Sequence, residues 1–84
     1  MFSFLTNLFS SAEIIITVAR GDIKLSRGKI TSARLRECHR FFQENNIDNG
    51  TVYISTSQKM PDITFSKNYP EEFEQRFRNF WNYG

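Results

Sequence analysis

One short pattern occurs twice in this chain and limits what the chain can fold into. Ile23-Lys24-Leu25-Ser26-Arg27 and Ile63-Thr64-Phe65-Ser66-Lys67 share one alternation of apolar and polar positions. Each copy stands ahead of a segment with helical spacing that ends in an aromatic pair, Phe41-Phe42 in one case and Phe80-Trp81 in the other. A period of two sends successive side chains to opposite faces of a strand, so each copy reads as a strand with one face on a core and one in water. Another alternating run precedes each copy: Ile14, Ile16 and Val18 between Ile15, Thr17 and Ala19, then Val52 and Ile54 between Tyr53 and Ser55. The predicted order is ββαββα, an α+β fold with a four-stranded antiparallel sheet and both helices packed on one face. The recurrence suggests an internal duplication.

With 84 residues there is room for one domain and one core. The predicted organisation is a short apolar N-terminal segment at 1–12, then a single α+β domain at 13–84 made of strand-strand-helix units at 13–46 and 51–83. Local signals place the joints. Gly21-Asp22 reads as the first hairpin turn, and Thr31 or Ser32 offers a hydroxyl to the free N–H groups of the first helix. Leu35, Cys38 and Phe42 form its apolar stripe, flanked by His39 and Phe41. Asn45 and Asn46 read as left-handed terminators, and Asp48-Asn49-Gly50 as a turn. Gln58 to Pro61 reads as the second connection. Pro70 suits a first helical turn, with Glu71 and Glu72 against the positive helix end. Phe73, Phe77, Phe80 and Trp81 make the stripe of the second helix and its expected densest packing, while Glu72/Arg76 and Glu74/Arg78 are spaced as ion pairs.

Charge is distributed unevenly. Residues 20–40 hold seven basic groups (Arg20, Lys24, Arg27, Lys29, Arg34, Arg36, Arg40) against two acidic ones (Asp22, Glu37), a local balance of +5. Residues 41–84 hold four basic groups against six acidic ones, a balance of −2. A polar field of this kind steers charged partners toward one side of a molecule. Lys24 lies on the solvent side of the second strand, Arg20 and Arg27 sit near turns, and with Lys29 they form a basic edge able to hold phosphates. Tyr53, on the same non-core face, is placed to stack on a base. Lys and Arg also serve simply to blunt edge strands. At the amino terminus Phe2, Phe4, Leu5, Leu8 and Phe9 fall in a stretch without charge, which must pack on its own domain, on another copy or on a membrane surface.

Catalytic and metal chemistry find little here. Cys38-His39 resembles a nucleophile beside a base, yet neighbouring helical residues point about 100° apart. The pair reads as a buried thiol next to a half-buried imidazole. The one cysteine and one histidine leave no zinc ligand set and no intramolecular disulfide. Arg20-Gly21-Asp22, an adhesion-type tripeptide, reads as ordinary hairpin chemistry. No cofactor, no metal and no enzymatic activity are expected.

Gly28-Lys29-Ile30, Leu35-Arg36-Glu37-Cys38, Phe65-Ser66, Pro70-Glu71 and Gln75-Arg76-Phe77-Arg78-Asn79-Phe80-Trp81 together resemble a small family of bacterial proteins built on a domain of unknown function. The resemblance runs from about residue 14 to residue 81. It implies relatives without a mechanism, and an apolar membrane segment ahead of the domain where this chain carries a shorter, polar-interrupted one. The expected role is a non-enzymatic protein-interaction module, binding a protein partner or another copy. It is expected in the cytoplasm or at a membrane surface. The alternatives are a nucleic-acid-binding module using the basic edge, or a membrane-peripheral adaptor using residues 1–12.

Overall fold

The computed structural model describes residues 12–56 and 61–83. Strand β1 (Ile14–Ala19) turns into β2 (Asp22–Arg27), followed by helix α1 (Ser32–Glu44). Strands β3 (Asn49–Ser55) and β4 (Asp62–Phe65) come next, then a 3-10 turn (Glu71–Phe73) running into helix α2 (Glu74–Tyr83). The predicted ββαββα order is the observed one. The four strands form one antiparallel sheet in the order β2-β1-β3-β4. Exchanging the two units leaves that order unchanged: the first strand of each unit is central and the second strand of each is an edge.

The first hairpin closes on Arg20 and Gly21, both in the left-handed region (φ 53° and 82°), one residue earlier than the spacing suggested. Asp22 already pairs with Ala19. Two left-handed residues are what a two-residue turn needs to match the twist of the strands. Thr31 caps α1, its hydroxyl accepting from the Arg34 N–H at 3.1 Å. The helix ends where Asn45 donates back to Phe41 O and Asn46 takes a φ of 55°. Asn49-Gly50 is not a turn but the start of β3. A Cβ on Gly50 would come within 2.9–3.0 Å of the Tyr69 ring and backbone, so that glycine permits a close approach. Pro70 stands just before the 3-10 turn instead of inside a helix.

The core lies between the helices and one face of the sheet. Ile16, Val18, Val52, Ile54 and Ile63 come from the strands, Cys38 and Phe42 from α1, and Phe77 from α2. Ile47 and Tyr69 complete it from connecting segments, both within 3 % of full burial. The stripe of α2 is less uniform than its spacing suggested: Phe77 is fully buried, whereas Phe73, Phe80 and Trp81 are half-buried against the cluster. Phe77 is the α2 ring that the core surrounds, while the other three lie at its margin. Phe77 stacks on Phe42 with centroids 5.8 Å apart and on Trp81 at 6.1 Å. Of the two spaced ion pairs, Glu74–Arg78 is present at 3.9 Å. Arg76 turns instead to Asn45 Oδ1 at 3.2 Å and lies over the Phe73 ring.

Burial raises the Cys38 thiol to about 11, with nearby Arg34 pulling it down less and Glu37 pushing it further up. The thiolate is the reactive form, so native Cys38 should react with iodoacetamide at pH 8 roughly a hundredfold slower than the unfolded chain. A native rate within about tenfold of the unfolded one would show that this side chain is not packed in the core.

Candidate interaction surface

Both helices, α1 and α2, pack against one face of the sheet, and among the described residues no helix covers the other. The strand register fixes what stands on it. Arg27 and Tyr53 flank Ile15, and Thr64 follows Tyr53, making one row across all four strands. Lys24, Thr17 and Thr51 form the next row. Thr17 Oγ1 lies 3.2 Å from Ser26 Oγ and 3.5 Å from Thr51 Oγ1, so hydroxyls knit the middle of this face. Ile15 is buried between its charged and aromatic neighbours, while Lys24, Ser26 and Arg27 are exposed.

The structure places Lys24 and Tyr53 on this face, as the alternation required, and a shift of register between Ile15 and Ile16 brings Arg27, an odd number of residues from Lys24, onto it as well. Arg20 stands apart in the hairpin turn, its N–H donating to Asn49 Oδ1 at 3.3 Å. Lys29 is exposed in the connection to α1. The Arg27 guanidinium donates to Ala12 O at 3.3 Å. Phe2, Phe4, Leu5, Leu8 and Phe9 lie outside the described residues.

The remaining basic residues of 20–40 divide by role. Arg34 is structural: its guanidinium sits 4.4 Å from the Trp81 ring centroid, donates to Trp81 O at 2.6 Å and pairs with Glu37 at 3.4 Å. It thereby ties α1 to a carbonyl near the carboxyl end of α2, where positive charge is favoured. Periodicity missed this contact, because it joins residues 47 apart in sequence. Arg36 and Arg40 are exposed on α1.

Arg36 also borders a cleft of about 270 Å³ between α1 and the edge strand β2, lined with Ile23, Ser32, Leu35 and His39. His39 Nε2 is 3.1 Å from Gly21 O. A carbonyl only accepts, so that nitrogen carries the proton and the ring ties α1 to the hairpin turn. Cys38 points into the core, so Cys38 and His39 serve separate contacts. Among the described residues no three His, Cys, Asp or Glu side chains gather as metal ligands, and no helix is long and apolar enough to cross a membrane.

These features define a two-layer α+β domain with one helix-covered face and one hydroxyl-rich face that, among the described residues, no helix covers, beside a basic edge. The chain belongs to the family described as "Protein of unknown function (DUF3634)", matched over residues 6–84. No curated protein and no solved structure matches it. The expected membership of a family built on a domain of unknown function is therefore established.

Proposed function

We propose that the chain is a non-enzymatic protein-interaction module of the cytoplasm that binds through its basic side, formed by β2 and α1. The supporting observation is how charge and edge coincide. Residues 20–40 are a hairpin edge and the helix beside it, so Lys24, Arg27 and Arg36 surround an edge strand and an apolar cleft instead of being scattered. Strand edges and apolar clefts are elements that peptide recognition reuses, and the charge supplies orientation and speed of encounter. Nucleic acid is a second reading, favoured by Lys24, Arg27 and Tyr53 sharing the face opposite the helices.

The test compares capture from a lysate, with and without nuclease treatment, by the parent, by Lys24→Glu/Arg27→Glu/Arg36→Glu, and by Lys67→Glu/Arg76→Glu as a control remote from β2. Proteins held by the parent and the control, and lost with the triple variant, are the expected outcome. Capture that vanishes on nuclease treatment supports the nucleic-acid reading. Equal capture by all three chains refutes both readings of this side.

A further inference from the structure

The two edges of the sheet differ in how their outward backbone groups are served. Ser66 N–H donates to Thr51 O at 3.0 Å and Thr51 N–H to Ser66 Oγ at 2.9 Å, so Thr51 spends its backbone on the β4 side. Backbone direction alternates along a strand, so Val52 bonds toward β1, where it faces Ile16. Continuing the alternation, Thr17 bonds to Lys24 in β2, and Ile23 and Leu25 direct their N–H and C=O groups away from the sheet. In β4 the corresponding position is Ile63. There α2 closes the edge: Arg78 donates to Ile63 O at 3.1 Å and lies 5.0 Å from the Phe65 ring centroid. Among the described residues no side chain does the same for Ile23 or Leu25.

We infer that the β2 edge receives an extended, acidic segment of a partner protein as a fifth strand. The inference rests on the interaction-module reading and names its partner. Ile23 and Leu25 each offer one donor and one acceptor to an incoming strand. Residues of that strand on the face opposite the helices meet Lys24, which selects acidic side chains, with Asp22 the single acid on β2. The alternate residues fall on the helix side, where the cleft of Ile23, Leu35 and His39 accepts an aliphatic side chain beneath Arg36. A second copy fits less well, because pairing β2 with itself about its middle sets Lys24 against Lys24, and like charges directly opposite are destabilising. Nucleic acid has no strand-spaced amides with which to meet the edge.

The experiment follows amide signals and amide exchange of the full, isotope-labelled chain with an end-capped peptide of alternating Val and Glu, about eight residues long. Controls are an alternating Val/Lys peptide, the acidic peptide N-methylated at alternate residues, and oligothymidylate. The acidic peptide should slow exchange at Ile23 and Leu25 about tenfold or more, an effect that weakens with salt. The Val/Lys and N-methylated peptides should not, and Lys24→Glu should transfer binding to the Val/Lys peptide. Equal protection by both charge types, shifts centred on Thr51 and Thr64, protection of Ile23 and Leu25 by oligothymidylate, or no binding by millimolar peptide would each overturn the inference. If the peptide fails while the triple variant still loses captured proteins, the interaction module stands and only its strand-type partner falls.

Discussion

Phe77→Ala is expected to destabilise the fold by about 3–5 kcal/mol, more than any other single truncation on α2. Its ring is fully buried and meets five others: Phe41, Phe42, Phe65, Phe80 and Trp81. Removing it takes away the transfer free energy of the ring and leaves a cavity that neighbours from three elements can only partly fill. Trp81→Ala should cost clearly less, although Trp is the larger residue, because Trp81 is half-buried and one of its faces rests on Arg34 instead of the core. Urea unfolding followed by far-UV circular dichroism compares the two. Equal losses, or a greater one for Trp81→Ala, would mean that the rings of α2 share the core evenly and that the described hierarchy is wrong.

Gly28→Ala is the second large effect, and Gly21→Ala is its internal control. Both glycines have left-handed φ, 88° and 82°, so both variants carry the backbone cost of about 1–2 kcal/mol for an L-residue there. A Cβ at Gly21 meets nothing within 4 Å. At Gly28 it would lie 2.3 Å from Glu13 O and 3.1 Å from Ile14 Cα, and backbone atoms at the start of a central strand cannot swing aside as a flexible side chain would. An additional loss of about 1–3 kcal/mol, the range for overpacking, is expected for Gly28→Ala alone. Thermal unfolding of the two variants measures the difference directly. Matching midpoints would show that β1 yields at Glu13, and that the connection leaving β2 is not held against it.

The strands, the start of the first helix and the faces of the sheet were legible because each depends on neighbours in sequence. Alternation at Ile14 to Val18 and at Val52 to Ile54 is a property of a few adjacent residues, and the hydroxyl of Thr31 ahead of α1 is equally local. The same local logic put Lys24 and Tyr53 on the non-core face, where they stand. Family membership was legible for a different reason, since a resemblance between sequences needs no fold to be recognised, and the family matches over residues 6–84.

What tertiary structure alone decided depends on groups that meet across long sequence separations. Asn49-Gly50 has the composition of a turn, but Tyr69 packs against Gly50 and the residues extend β3. Ile47 and Tyr69 sit in connections without periodicity, so nothing local marked them as core, yet both are buried. Arg34 looked like one more charge in a basic run until the fold brought Trp81 to it. The candidate surface divides in the same way. Sequence supplied its charges, whereas the strand order made β2 an edge, and Arg78 closed the opposite edge at Ile63. Alternation fixes the direction of a side chain relative to its own strand, but whether the backbone beside it finds a hydrogen-bond partner is settled only by which strand or side chain arrives next to it.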